Sequence, residues 1–184
     1  MDEETEREHI HKCVDIHKRL CGERPLGIYQ GKPNINTRKL VVEEGGFLYD
    51  SDSYSDDLPY WNTEFGRPHL VIPYTLDVND MRFATPQGFN SGDQFYTYLK
   101  DTFDYLREEG KTSPKMMSIG LHCRLVGRPG RAAALARFLD YVKQFDDAWV
   151  TRRVDIARHW YQHHYPVVDP LTKQPTGSIA RSQL

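Results

Sequence analysis

No stretch of the sequence approaches the ~18–20 consecutive apolar residues that a membrane-spanning helix requires. The first ten residues, MDEETEREHI, are acidic where a secretory leader would be basic and then apolar. Both absences predict an intracellular, cytoplasmic protein with no membrane partner. Cysteine is scarce: Cys13, Cys21 and Cys123 form neither a Cys-x-x-Cys pair nor an even disulfide framework, which points to free thiols in a reducing compartment. Neither sign of charge dominates. Twenty-four Lys and Arg face 26 Asp and Glu for a net charge of −2, without the basic excess of a nucleic-acid binder. What is present is apolar content of 39% and aromatic content of 12% over 184 residues, enough for one domain with its own core and too much for a disordered tail.

The periodicities alternate. Ile10, Cys13, Val14, His17 and Leu20 follow at helical steps, with acids early, Lys18 and Arg19 late, and Gly22 to end the helix. Leu26 to Tyr29 reads as a short strand, Asn36 as the cap of a helix ending at Gly45-Gly46, and Phe47 to Tyr49 as a second strand. The segment 50–68 has no period and reads as a long surface loop, followed by a strand over Leu70 to Tyr74 with Pro73 at its end. A long helix runs from Ser91 to Gly110. Met116 to Leu121 reads as a strand covered on both faces, Ala132 to Phe145 as a helix, Ala148 to Val150 as a strand and Arg152 to His164 as a last helix. Such alternation predicts an α/β fold of about five mostly parallel strands with outer helices, short of the roughly eight that close a barrel. Residues 165–184, rich in proline and poor in apolar side chains, read as a loose tail.

In parallel α/β folds ligands sit at the carboxyl ends of strands. The residues there are Tyr29 and Gln30, Asp50 and Asp52, Asn79 and Asp80, His122 and Arg124, and Arg152 and Arg153. His122 can shuttle a proton near neutral pH, and as readily be a capped structural histidine. Arg124, Arg128 and Arg131 share a glycine- and proline-punctuated turn, and a guanidinium fork suits carboxylates or ureido carbonyls. Asp50-Ser-Asp52 fails the calcium-loop pattern at Tyr54, Ser55 and Trp61. His159 and His163 have a spacing that can hold zinc, but no third ligand stands at an informative distance, so no metal is assigned. Cys123 beside His122 is not a catalytic couple, because neighbouring side chains in an extended segment point opposite ways. The stripe Phe95, Tyr98, Phe103 reads as core.

Three motifs stand in a telling order: Arg24-Pro-Leu-Gly-Ile-Tyr29, Asp57-Leu-Pro-Tyr-Trp61 and Ile119-Gly-Leu-His122. They resemble the later motifs of the polysaccharide deacetylase (NodB-like) superfamily. Together with Asn34 to Leu40, Glu43 to Asp52, Val71 to Asp77 and Gly120 to Pro129, the sequence is similar to the cofactor-free allantoinase branch over residues 2 to 164. The resemblance implies part of a distorted (β/α) barrel, with 1–164 as a carboxy-terminal portion of the domain. It also implies hydrolysis of a non-peptide carbon–nitrogen bond, the hydantoin ring of an allantoin-like small molecule being opened to allantoate.

By this resemblance His122 would be the general acid, Arg124 would hold a substrate oxygen, and Arg24, Tyr29, Asp57 and Trp61 would form and support pocket walls. Asp50 and Asn79 are expected at the substrate by the strand-end argument alone. The family's first two motifs, carrying the base and the deacetylases' metal-binding histidines, are expected upstream of Met1. No cofactor is therefore assigned. The runner-up, a polysaccharide or chitin deacetylase, would need a divalent metal such as zinc with ligands upstream. A third reading is a non-catalytic fragment that assembles through an open sheet edge, which also makes a homo-oligomer an expected partner. The terminal Ser182-Gln183-Leu184 resembles a peroxisomal address.

Overall fold

The computed structural model describes residues 1–166. Of the expected loose tail only Tyr165 and Pro166 are among them, and Tyr165 packs against Trp61; the rest of it, with the Ser182-Gln183-Leu184 address, lies outside the described residues. The elements are α1 (Glu3–Cys21), β1 (Gly27–Ile28), α2 (Thr37–Glu44), β2 (Tyr49–Asp50), β3 (Tyr60–Asn62) and β4 (His69–Val71). A 3-10 turn (Asp80–Ala84) follows, then α3 (Gly92–Gly110), α4 (Cys123–Val126), α5 (Pro129–Val142) and α6 (Arg153–His163). The chain divides into two compact units, one of Met1–Pro73 with the segment from Thr151 onward, the other of Tyr74–Val150.

The first unit holds an open sheet in the order β1-β2-β4-β3, parallel except for the β3–β4 pair. This is the expected α/β class with a mostly parallel sheet. α1 starts where Asp2 accepts from the Thr5 N–H, carries Glu3, Glu4 and Glu6 at its positive end and Lys18 and Arg19 at its negative end, and stops at Gly22 in the left-handed region (φ 78). Ile10 and Val14 of α1 pack on Leu40 and Val41 of α2 and on Phe47, with Ile28 of β1 against them. Each such side chain contributes about 1.5–3 kcal/mol when fully buried. Asn36, expected to cap α2, makes no side-chain cap bond. The helix start is held by Asn34 instead, whose carbonyl accepts the Thr37 N–H and whose own N–H donates to the Thr37 hydroxyl.

The second unit is built on α3 and α5. Phe95 and Leu99 of α3 and Ala134, Phe138 and Val142 of α5 form one buried cluster with Val78 and Phe89. Pro129 opens α5 at a position where its missing N–H costs nothing. The expected helical stripe of Phe95, Tyr98 and Phe103 is core or packs on it.

Three strand expectations fail. The segment 50–68 is not all loop, since Tyr60–Asn62 pairs antiparallel with β4. Met116 to Leu121 is no strand; its sole ladder contact is a parallel bridge between Asn79 and Gly120, and Met117 and Ile119 are partly buried by packing on the α3/α5 cluster instead. Ala148 to Val150 is irregular, with Trp149 and Val150 exposed. An apolar run can be satisfied by side-chain burial without a strand partner, which periodicity cannot distinguish.

The narrowest approach in the sheet is at Gly27, where a Cβ would overlap the Tyr49 ring of the adjacent strand. Gly27→Ala should therefore destabilise the chain by about 1–3 kcal/mol. In a denaturant double-mutant cycle with Tyr49→Ala, the pair should cost less than the sum of the singles; strict additivity would contradict the packing.

Candidate functional site

His122 stands just before α4, with its backbone extended. Asp80, which opens the 3-10 turn, is fully buried, and its Oδ2 accepts the backbone N–H of His122 (2.8 Å) and of Val126 (3.0 Å). Its Oδ1 lies 2.6 Å from His122 Nδ1. A carboxylate that already accepts two backbone N–H groups acts as an acceptor on its other oxygen too, so Nδ1 carries the proton and Nε2 is the nitrogen left for chemistry. The His122 side chain keeps 27% exposure against 0% for Asp80. The arrangement is an oriented imidazole with one working nitrogen, the geometry of a general acid or base.

Asn79 is buried beside this pair, and its side chain is spent on the fold. Its Oδ1 caps the Met81 N–H (2.9 Å), and its Nδ2 donates to the Tyr74 hydroxyl (3.2 Å) and the Thr75 carbonyl (3.4 Å). A Cβ at Gly120 would run into the Asn79 amide and the Tyr74 hydroxyl. Asn79 thus holds the loop that carries Asp80, a different task from the substrate contact expected of it. Arg124 and Arg128 are exposed, while Arg131 lies over the Phe83 ring at 4.3 Å.

In the first unit Asp50 is buried at the end of β2. It accepts from Arg38 Nε (2.9 Å) and Nη2 (3.2 Å), from His69 Nε2 (3.1 Å) and from the Asp52 N–H (3.0 Å). Burial works to raise its pKa, but the bonds from His69 and Arg38 outweigh it and hold the carboxyl below the ordinary value. The bond to Asp50 in turn raises the Arg38 pKa. Asp50 therefore faces α2 with both oxygens engaged by the protein, where the strand-end argument placed it at a substrate. Strand alternation sends Tyr49 to the other face, where burial pushes its phenol up against the opposing pull of Arg153.

Asp52 accepts from the Gln30 and Gly31 N–H groups, tying the end of β1 to the end of β2. Tyr29 is exposed, its hydroxyl 3.0 Å from that of Tyr54. Arg24 pairs with Glu44 at 2.8 Å and lies over Phe47. Trp61 donates Nε1–H to the His164 carbonyl (2.7 Å) and packs edge-on against Tyr161 and Tyr165, a supporting position. Asp57 lies exposed on the loop before β3. Arg153 clamps the strand ends, its Nη1 donating to the Ile72 and Pro73 carbonyls (both 2.9 Å) and to Ser51 Oγ (3.2 Å).

His159, His163 and His164 gather at the end of α6, with 4.6 Å between the first two ring centroids. Burial, then the proximity of His159 and His163, lowers the pKa of His164. Among the described residues no group of three or more His, Cys, Asp or Glu is arranged to hold a metal ion. No helix among the described residues is long and apolar enough to cross a membrane.

Sequence reasoning passed over Arg38 and His69 and left Asp80 without a role. Arg38 sits inside α2 and His69 at the start of β4, away from the carboxyl ends of the strands. Asp80 stands 42 residues before the histidine it holds.

The fold is thus an α/β structure with an open, mostly parallel sheet and a histidine–aspartate pair. No family model matches the chain. A putative polysaccharide deacetylase of Schizosaccharomyces pombe is 43% identical over 178 residues, covering 88% of this chain and 56% of that protein. A crystal structure of a probable polysaccharide deacetylase from Pseudomonas aeruginosa PAO1 is 61% identical with a TM-score of 0.85, over 89% of this chain and 55% of the other. A crystal structure of Puue Allantoinase is 63% identical with the same TM-score of 0.85 and the same coverage, 89% and 55%. A putative polysaccharide deacetylase from Mycobacterium smegmatis is 26% identical, with a TM-score of 0.78 over 96% and 61%. In sequence and in fold the chain is polysaccharide deacetylase-like. It spans a little over half the length of the relatives it matches.

Because the Asp50 carboxyl is held below its ordinary value of 3.8, its contribution to stability is complete above that value and lost as pH falls through the folded-state pKa. Asp50→Asn should cost about 3 kcal/mol near neutral pH. Urea denaturation below about pH 4 should show a shallower acid loss in the variant than in the wild type. Parallel acid limbs would contradict the assignment.

Proposed function

We propose that the chain carries the proton-donating half of a hydrolase of non-peptide carbon–nitrogen bonds, of the allantoinase type, opening the hydantoin ring of allantoin to allantoate. The observation that carries the reading is the His122–Asp80 pair: Nδ1 is committed to a buried carboxylate and Nε2 is free to act. In the proposed step His122, as imidazolium, gives its Nε2 proton to the ring nitrogen as the tetrahedral intermediate collapses and the carbon–nitrogen bond breaks. Without that proton the departing group would be an amide anion, a poor leaving group. Asp80 stabilises the imidazolium that precedes the transfer and keeps the ring from rotating.

Support for the allantoin reading is the likeness to Puue Allantoinase. The neighbours described as polysaccharide deacetylases favour the second reading, removal of an acetyl group from an N-acetyl sugar, which would use the same protonated histidine at the departing amine. The two differ in substrate and share the acid. In either, the substrate is a small molecule or sugar, and Arg124, exposed two residues beyond His122, is the candidate to meet its carbonyl or carboxylate oxygen.

The test is to incubate the purified chain with allantoin and, separately, with an N-acetylglucosamine oligomer, and to measure allantoate and acetate. Allantoate is expected; acetate release without allantoate would replace this reading by the second, and neither product from a folded chain would overturn both for this chain. His122→Asn, whose Nδ2 takes the place of Nδ1 and can still donate to Asp80, should keep the melting temperature and lower kcat by about 10²–10⁴-fold. Unchanged kcat with a large drop in melting temperature would make His122 structural. His159→Ala with His163→Ala should leave kcat and KM unaltered, and a loss of activity there would show that the α6 histidines matter to the reaction.

A further inference from the structure

The end of α6 gathers imidazoles. His159 and His163 stand one turn apart on the same face of the helix, where side chains four residues apart are neighbours. His159 is half-buried and His163 is exposed. Their ring centroids lie 4.6 Å apart, with the planes tilted by 44°. With metal–nitrogen bonds of about 2.0–2.1 Å, two imidazoles on one four-coordinate ion have ring centres about 5 Å apart. The observed separation is within a small side-chain rotation of that value.

The neighbours fix the donor set at two. His164 follows directly, but its ring centroid is 5.5 Å from that of His159 and 6.4 Å from that of His163, and the ring lies against Trp160 at 4.9 Å. Asp155, one turn before His159, is held by Arg152 Nε (2.8 Å) and Arg158 Nη1 (3.0 Å). Among the described residues no third His, Cys, Asp or Glu completes a set. Each imidazole has to offer the ion one nitrogen, and its other nitrogen can keep a hydrogen bond that orients the ring.

Two imidazoles without a carboxylate or thiolate select the ion. They suit late first-row divalent metals, whereas Mg²⁺ and Ca²⁺ take oxygen ligands. We propose that His159 and His163 form a two-imidazole chelate for a late first-row divalent ion such as Zn²⁺, its remaining positions open to water or to an outside ligand. The site shares no residue with the His122–Asp80 pair, and the proposed reaction draws nothing from it. Because His164 follows His163 and its carbonyl accepts Trp61 Nε1–H (2.7 Å), an ion on the pair also braces the turn that holds Trp61 of β3.

The test titrates Zn²⁺ into the ¹⁵N-labelled chain and follows the ring nitrogens of His159 and His163, assigned with His159→Ala and His163→Ala, by long-range ¹H–¹⁵N correlation. Both rings should move together and saturate with one Kd. His163→Ala should weaken binding at His159 by about ten-fold or more, because the second imidazole is held at high effective concentration by the helix. His163 is exposed at the helix end, so the variant should fold, and His163→Gln, which keeps a polar side chain there, should show the same loss. A His164→Ala chain should bind as the wild type does, and Mg²⁺ at the same concentration should move neither ring. Rings that move independently with different Kd values, a Kd at His159 unchanged by both His163 variants, a loss in His164→Ala as large as in His163→Ala, an equal response to Mg²⁺, or zinc shifts confined to the cysteine-bearing α1 would each overturn the proposal.

Discussion

The second unit turns on one buried carboxylate. Asp80 has no exposure and accepts three hydrogen bonds, two from backbone N–H groups at His122 and Val126 and one from the His122 ring. A buried carboxylate without donors would cost several kcal/mol, so the chain from Gly120 to Val126 must present its N–H groups where Asp80 sits. That demand shapes the neighbourhood: the Asp80 N–H reaches the Gly120 carbonyl (2.9 Å), Gly120 lacks a side chain because Asn79 and Tyr74 fill the space, and Asn79 caps the turn that begins at Asp80. The catalytic candidate is oriented as a by-product of satisfying an acid.

A second buried aspartate shows why orientation alone does not make a site. Asp50 also holds a histidine, His69, at 3.1 Å, but that ring is 2% exposed and its carboxylate is shared with Arg38. No substrate atom reaches an imidazole so enclosed, whereas His122 retains 27% exposure. The same pair of residue types thus serves in one place as a fastening between α2, β2 and β4, and in the other holds an imidazole that stays partly open to solvent. Exposure of the second ring nitrogen, more than the presence of the pair, separates the two roles.

The helices were legible in the sequence because their signals are local. Asp2, Ser91, Gly22 and the regular apolar steps of α1 and α3 mark starts, stops and buried faces within a turn or two. The strands were less so, since elements of two or three residues carry no measurable alternation. Tyr60–Asn62 hid among aspartates and prolines, and the apolar run at 116–121 mimicked a strand while Met117 and Ile119 pack, partly buried, on the α3/α5 cluster. His122 was legible from its motif and its place after an apolar segment. Its partner was not, because the separation of 42 residues is closed only by the fold. Asp50 misled for the opposite reason: it is where the strand ends, but alternation turns its carboxylate toward α2.

The likeness to polysaccharide deacetylase-like proteins and the geometry around Asp80 meet at one claim, that His122 presents Nε2 for chemistry while Nδ1–H is held by the carboxylate. Long-range ¹H–¹⁵N correlation of the imidazole rings, compared between the wild type and His122→Gln to assign the signals, tests it directly. The account predicts that neutral His122 is the Nδ1–H tautomer, with a pyridine-like Nε2. A His122 ring found protonated at Nε2 and bare at Nδ1 would contradict it.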